Sequence, residues 1–142
     1  MVFITLGYSR GYDMSRCCLE TKCLQCCIET NMVLTNQDVA RIKQLGYAVG
    51  FFVKKHKGWL QLRNIQGRCV FHNGIQCTIY PYRPKGCMLY PIVYDKDNRC
   101  AIFDSECPQK HCFTLSPSKV RQLSALVSLL EKERTIRTNE TP

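Results

Sequence analysis

Residues 17–27 read Cys-Cys-Leu-Glu-Thr-Lys-Cys-Leu-Gln-Cys-Cys, which places five cysteines within eleven positions. The stretch has none of the hydrophobic periodicity that marks a core helix or strand. The spacing Cys23-x2-Cys26 lets one turn present two sulfur atoms to the same metal, and zinc sites and iron–sulfur clusters both use it. We therefore interpret residues 17–27 as a metal-binding loop that organises the fold.

The whole chain also favours metal over disulfides. It has 142 residues, enough for one ordinary domain, and 11 cysteines. No run reaches the roughly 18 apolar residues needed to cross a bilayer, and residues 1–7 do not resemble a signal peptide. We expect a cytoplasmic protein with no membrane partner. Thiols stay reduced in that compartment, and an odd number of them cannot pair completely.

Two segments carry helical signals. Thr35, followed three residues later by Asp38, resembles a capping box, and the apolar spacing after it predicts a helix over about 36–45. Ser116-Pro117 supplies an N-cap with proline at the first helical position, and an apolar stripe continues to about Arg134. We therefore expect at least two helices.

Asn73-Gly74 lies between two β-rich runs and predicts a β-hairpin. A type I′ turn needs positive φ at both central residues, and this dipeptide is the strongest short-range signal for one. Such a turn would place Val70 opposite Cys77 and Cys69 opposite Thr78. The two thiols would then be diagonal neighbours on the ribbon.

A second hairpin is expected where residues 88–94 and 99–103 flank Asp95-Lys96-Asp97-Asn98. Prolines on both sides of Cys87 confine that residue to a turn or a very short helix. The expected fold class is α+β, a small irregular metal-organised domain with two β-hairpins and at least two helices. We divide the chain into an N-terminal extension (1–16), the metal-binding domain (17–134) and a flexible tail (135–142).

Four blocks of this sequence together resemble a known family. They are Cys23-x2-Cys26-Cys27, Leu34-Thr35-x2-Asp38-x2-Arg41-Ile42, Cys69-x-Phe71 and Cys77-x-Ile79-Tyr80-x2-Arg83-Pro84-x2-Cys87-x2-Tyr90-Pro91. The pattern is similar to the cysteine-cluster family of zinc- or iron-chelating domains (CxxCxxCC type), which is related to flagellin lysine N-methylases. The likeness covers roughly residues 17–112.

The resemblance implies about eight metal ligands. We assign them to Cys18, Cys23, Cys26, Cys27, Cys69, Cys77, Cys87 and Cys107. Glu20 stands where the family has its first cysteine, so the first ligand stays open among Cys17, Cys18 and Glu20. The remaining thiols, Cys17, Cys100 and Cys112, are interpreted as buried or free.

The spacing favours a [4Fe–4S] cluster, with zinc as the alternative. Zinc sites normally contain two C-x2-C pairs, and only one is present here. Cys69, Cys77 and Cys87 are separated by seven and nine residues, an arrangement that suits a cluster in which each thiolate binds its own iron.

Arg83 lies between two candidate ligands, and we place it at the cofactor site. Its guanidinium would offset thiolate charge and donate hydrogen bonds to sulfur or to backbone carbonyls, with a substrate anion as the alternative partner. His56 and His72 are expected outside the ligand set. His111 is also placed at the surface, although its neighbour Cys112 makes it an alternative ligand.

The formal charge of +9 falls when cysteines bind metal as thiolates. The Lys54-Lys55-x-Lys57-Gly58-Trp59 cluster could still contact a protein or an RNA/ribonucleoprotein partner, although a solvated basic face is the more frequent explanation of such a cluster. Three functions stay open: a binding or assembly module, a protein lysine methyltransferase-like enzyme, and an iron or zinc carrier. The chain has no glycine-rich nucleotide loop, so the methyl-donor site of such an enzyme would have to be non-standard. Enzymatic activity stays open.

Overall fold

The computed structural model describes residues 2–3, 27, 30–104 and 115–140. Within these residues the chain forms four α-helices, a short 3-10 helix at Tyr80–Tyr82 and seven strands. The helices are α1 (Asn36–Gln44), α2 (Val49–Phe52), α3 (Lys85–Leu89) and α4 (Pro117–Glu140). The strands are β1 (Val2–Phe3), β2 (Val53–His56), β3 (Trp59–Leu62), β4 (Asn64–Ile65), β5 (Arg68–Cys69), β6 (Ile92–Asp95) and β7 (Cys100–Phe103). This is the small α+β fold that the sequence predicts.

The strands form three small antiparallel sheets. Strands β1, β6 and β7 make a three-stranded sheet, and β2–β3 and β4–β5 are separate hairpins. The β6–β7 hairpin confirms the second hairpin expected from the sequence. Its turn is held by the carboxylate of Asp95, which accepts hydrogen bonds from the backbone N–H groups of Asp97 at 3.0 Å and Asn98 at 3.3 Å.

Two tight turns that the sequence analysis did not identify shape the middle of the chain. Lys57 and Gly58 have φ of 52° and 84°, and Gln66 and Gly67 have φ of 53° and 77°. Positive φ at both central residues is what a type I′ turn requires. The strand registers place these dipeptides at the tips of the β2–β3 and β4–β5 hairpins. The only sequence signal for either turn is a glycine at the second position.

Helix α1 forms where the sequence predicts it. Thr35 is the N-cap, and its hydroxyl accepts a hydrogen bond from the Asp38 N–H at 2.9 Å. The Asp38 carboxylate accepts in return from the Thr35 N–H at 3.0 Å. Both members of the capping box are fully buried. The expected box is therefore present, with aspartate in the place of the usual glutamate.

Helix α4 begins as expected but ends later. The Ser116 hydroxyl accepts a hydrogen bond from the Lys119 N–H at 3.2 Å and so caps the first turn. The helix then continues past Arg134 to Glu140, through residues expected to lie in a flexible tail. Arg137 explains the difference, because its guanidinium donates to the Gly58 carbonyl at 3.0 Å and to Oδ1 of Asn36 at 2.6 Å. These long-range contacts hold the last turns in place.

The described core consists of two apolar clusters. We name the first the hairpin cluster; its buried members are Met32, Leu34, Ile42, Phe52, Val53, Leu60, Leu62, Cys69, Phe71 and Ile79. We name the second the helix cluster; its buried members are Val33, Leu89, Ile92, Leu123, Leu126, Val127 and Leu130.

The segment Met32–Leu34 runs between the two clusters and alongside β3. The Leu34 N–H donates to the Leu60 carbonyl at 2.7 Å, and the Leu62 N–H donates to the Met32 carbonyl at 3.0 Å. Because side chains alternate across an extended strand, Met32 and Leu34 enter the hairpin cluster while Val33 enters the helix cluster.

Candidate metal centre

The four predicted ligands that the structure describes lie at one apolar cluster. Cys69 is buried within the hairpin cluster, and Cys27, Cys77 and Cys87 are partly buried against it. They come from four separate stretches of the chain. The other four predicted ligands, Cys18, Cys23, Cys26 and Cys107, lie outside the described residues.

Cys69 is positioned by the β4–β5 hairpin. The Gln66–Gly67 turn sets the register in which Cys69 pairs with Asn64. Beyond the strand, the His72 N–H donates to the Cys69 carbonyl at 2.8 Å. Both sides of Cys69 are therefore anchored by backbone hydrogen bonds, and its side chain enters the core.

Cys77 lies in a different register from the one predicted. It pairs with His72, so the expected pairings of Val70 with Cys77 and of Cys69 with Thr78 are wrong. Asn73 explains the change, because its Oδ1 accepts from the N–H groups of both Ile75 and Gln76 at 2.9 Å. This side chain stabilises a wider loop in place of a two-residue turn.

Cys87 lies in the very short helix that the prolines predict. Its N–H donates to the Pro84 carbonyl at 3.0 Å. Arg83 holds the same turn: its Nε donates to the Tyr80 carbonyl at 3.0 Å, its Nη1 donates to the Cys87 carbonyl at 3.3 Å, and its guanidinium stacks 3.8 Å over the Tyr80 ring. Arg83 thus makes the carbonyl contacts expected of it and brings positive charge close to Cys87.

The buried carboxylate of Asp38 connects this turn to α1. Its Oδ1 accepts from Nη2 of Arg41 at 2.8 Å and from the Lys85 N–H at 3.2 Å. The same Arg41 nitrogen donates to the Arg83 carbonyl at 2.9 Å. The sequence analysis identified Asp38 as a helix cap but missed this second role. The only available signal was that Asp38, Arg41 and Arg83 all belong to the blocks that resemble the family.

Aromatic rings pack around Phe71, which lies between Cys69 and Cys77 in the chain. The Tyr47, Phe51 and Phe52 rings lie 5.0, 6.1 and 5.6 Å from the Phe71 ring. Phe71 and Phe52 are buried. Cys69, which is buried in the same cluster, therefore lies in an environment of low polarity.

His72 is oriented by the loop that follows it. Its Nδ1 lies 3.0 Å from the Gly74 nitrogen and accepts a hydrogen bond from that N–H. Its Nε2 is shielded from solvent and has no hydrogen-bond partner among the described residues. Burial, with a smaller contribution from the Arg68 guanidinium, lowers the pKa of His72. Because the Gly74 N–H can only donate, Nδ1 carries no proton and the ring proton is on Nε2.

The residues set aside by the sequence analysis fall in two groups. Cys100 is an exposed free thiol on β7, and His56 is exposed on β2. Cys17, Cys112, Glu20 and His111 lie outside the described residues, so the identity of the first ligand stays a prediction.

Trp59, the aromatic residue of the basic cluster, packs within the protein. It is half-buried against the helix cluster. The Arg134 guanidinium lies 4.7 Å from its ring centroid and Nζ of Lys96 lies 5.9 Å away. Arg134 also donates from Nε to the Lys57 carbonyl at 2.9 Å. Helix α4 is therefore fastened to the β2–β3 turn by contacts to Trp59 and the backbone.

The donor chemistry at the hairpin cluster fits a metal that prefers sulfur. Thiolates are the ligands of structural zinc and of iron–sulfur clusters. Over residues 27, 30–104 and 115–139, no three His, Cys, Asp or Glu side chains form a group that could hold an ion by themselves. The described thiols therefore do not form a metal site by themselves, and the ligand set, whose other predicted members are Cys18, Cys23, Cys26 and Cys107, stays a prediction.

None of the described helices is both long and apolar enough to cross a bilayer.

Comparison with known proteins matches the chain to a family model. No curated protein and no solved structure matches the chain. A family model named CxxCxxCC, described as "Putative zinc- or iron-chelating domain", matches residues 17–113. Because this match spans more than half of the 142 residues, the chain belongs to the CxxCxxCC family of zinc- or iron-chelating domains.

Proposed function

We propose that the protein is a binding or assembly module that holds a [4Fe–4S] cluster through cysteine thiolates. Metal binding in general follows from membership of the family. The observation that carries the proposal is the gathering of Cys27, Cys69, Cys77 and Cys87 at the hairpin cluster. Free cysteines can also be buried as small hydrophobic residues, so the proposal rests on this placement together with the family match over residues 17–113.

The choice of a cluster over zinc rests on how the thiols are distributed. Cys69 ends a strand, Cys77 follows a wide loop and Cys87 lies in α3. One zinc ion needs four donors about 2.3 Å away, whereas a four-iron cluster accepts thiolates spread over a larger volume. Low polarity around Cys69 also suits a cluster, since solvent exposure is one of the factors that set its reduction potential.

The hydrogen bonds around Cys87 favour a permanently bound metal over one that the protein transfers to another molecule. Cys87 lies in a turn fixed by Arg83, Arg41 and Asp38, and Asp38 is fully buried. Hydrogen bonds of this kind orient ligands and their loss weakens metal binding. A carrier remains the alternative: it would lose its metal without unfolding, whereas a structural site would not.

The partner is part of the same proposal. Lys55, His56 and Lys57 are exposed at the tip of the β2–β3 hairpin, where they can contact the phosphates of an RNA or ribonucleoprotein. Trp59 is already covered by Arg134, so we assign it no base-stacking role. Retention on RNA should fall steeply with salt if the contact is with phosphates. Tight binding of a methyl donor would favour the lysine methyltransferase-like alternative.

Purification of the full chain without oxygen tests the metal assignment. We expect a brown protein that contains iron and acid-labile sulfide in equal amounts and shows broad visible absorption. A colourless folded protein with stoichiometric zinc and no sulfide would replace the cluster with zinc. A folded protein that contains neither metal, and takes up neither when supplied, would contradict metal binding itself.

A further inference from the structure

The imidazole of His72 holds a buried proton for which the described part of the chain supplies no acceptor. The Gly74 backbone nitrogen can only donate, so Nδ1 of His72 must be the unprotonated nitrogen of the ring. The proton of the neutral ring is then on Nε2, which has no partner among the described residues and no access to solvent. A buried donor left unpaired costs about 1–3 kcal/mol. The large majority of buried polar groups in native proteins have a hydrogen-bond partner.

Cys77 is the predicted metal ligand that lies directly opposite His72. The pair is flanked by hydrogen bonds from Asn73 N–H to the Gln76 carbonyl at 3.2 Å and from Thr78 N–H to the Phe71 carbonyl at 2.8 Å. This pattern identifies a non-hydrogen-bonded pair, the type in which opposite side chains approach most closely, with Cβ atoms roughly 4.5–5.5 Å apart. The His72 and Cys77 side chains therefore share one face of the ribbon.

Metal binding makes the Cys77 sulfur a stronger hydrogen-bond acceptor for His72. A thiol sulfur is a weak acceptor, whereas a metal-bound cysteine is a thiolate that carries negative charge. Hydrogen bonds with one ionised partner are roughly twice as strong as neutral ones. The loaded site would thus supply the acceptor that the Nε2 proton of His72 lacks.

We propose that His72 is a positioning residue that donates a hydrogen bond from Nε2 to the Cys77 thiolate in the metal-loaded protein. This inference rests on the proposed function. His72 is not itself a ligand, because the Gly74 N–H occupies the lone pair of Nδ1 and the proton occupies Nε2. A ring held in this tautomer can donate towards a thiolate but cannot coordinate an ion.

Cobalt(II) titrated into the reduced full-length chain tests the inference, because cobalt bound to thiolate absorbs through charge transfer from sulfur. A hydrogen bond to sulfur stabilises the electrons that are transferred, so its loss lowers the transition energy. We expect His72→Leu to move the band to longer wavelength with unchanged cobalt stoichiometry. Its cobalt affinity, measured by chelator competition, should fall about 10-fold to 100-fold, as is typical when an outer hydrogen bond is removed.

Two further variants make the experiment specific. His72→Gln retains an N–H donor at a similar reach and should restore the band position. His56→Leu, at an exposed histidine on β2, should match the wild type. A band that stays in place in His72→Leu, or loss of a cobalt equivalent in that variant, would overturn the hydrogen bond while leaving the proposed function standing. Failure of the wild type to bind cobalt would overturn the inference, whereas the proposed function is decided separately by the iron and sulfide content of the anaerobically purified protein.

Discussion

The carboxylate of Asp38 accepts a hydrogen bond at 3.2 Å from the backbone N–H of Lys85, 47 residues further along the chain. Lys85 is the first residue of α3, the helix that contains Cys87. The start of α1 and the start of α3 are thereby joined through one buried side chain. A residue that caps one helix thus also positions a predicted metal ligand in another.

Replacement of Asp38 by alanine should destabilise the protein strongly. The change leaves the N–H groups of Thr35 and Lys85 and the guanidinium of Arg41 without their shared acceptor. Loss of one partner from a buried ionic network costs about 3–5 kcal/mol, and the lower end applies here because Arg41 is partly exposed. Urea unfolding measures the cost. Asp97→Ala, at an exposed carboxylate, is the control, and a loss below about 1 kcal/mol in Asp38→Ala would contradict the role.

Alanine at Gly58 should cost more stability than alanine at Gly67. Both glycines have positive φ in equivalent turns, so each substitution introduces strain of about 1–2 kcal/mol. A Cβ at Gly58 would also lie 2.5 Å from Cγ2 of Thr138 and 3.1 Å from Cγ of Arg134, whereas the space at Gly67 is open. Overpacking typically adds about 1–3 kcal/mol. Equal unfolding free energies for the two variants would show that α4 is not held against this turn.

Serine substitutions should divide the cysteines into two groups. Cys23→Ser, Cys26→Ser, Cys77→Ser and Cys87→Ser should lose metal and solubility together, because each removes a proposed ligand. Cys100→Ser and Cys112→Ser should retain the wild-type metal content. Metal per chain, measured by elemental analysis after anaerobic purification, gives the result. Full metal content in all of the first four variants would end the ligand assignment.

Glu20→Ala should leave the metal content unchanged. Thiolate-rich sites favour sulfur over oxygen, and Cys17 and Cys18 are close enough in the chain to compete for the first ligand position. The same elemental analysis measures the effect. Loss of one metal equivalent in Glu20→Ala would make its carboxylate the first ligand.

Local signals in the sequence predicted α1, α4, the short helix that contains Cys87 and the β6–β7 hairpin. The capping box at Thr35 and the Ser116-Pro117 start involve side chains that bond to their own helix, so neighbouring residues contain the information. The Asn73-Gly74 turn was predicted wrongly because asparagine can serve a hairpin in two ways. It can adopt positive φ in a tight turn, or its side chain can accept backbone N–H groups in a wider loop, as it does here.

The candidate site shows where local information ends. Cysteine spacing and the family blocks predicted the residue types, and the four candidate ligands that the structure describes lie at the hairpin cluster. Their role as ligands stays a prediction. The contact of Asp38 with Lys85 and the pairing of His72 with Cys77 depend on distant segments or on strand register. The end of α4 likewise depends on the hydrogen bonds that Arg137 donates to Gly58 and Asn36. None of these contacts can be predicted from a short stretch of sequence.

The alternation of Met32, Val33 and Leu34 between the two apolar clusters couples the unfolding of one cluster to the unfolding of the other. Three consecutive residues of one extended peptide are shared by the region of the predicted ligands and the region under α4. Neither region can open without withdrawing side chains from the other. We therefore expect a single cooperative transition, in which amide hydrogens of α4 and of the β2–β3 hairpin exchange through openings of the same free energy.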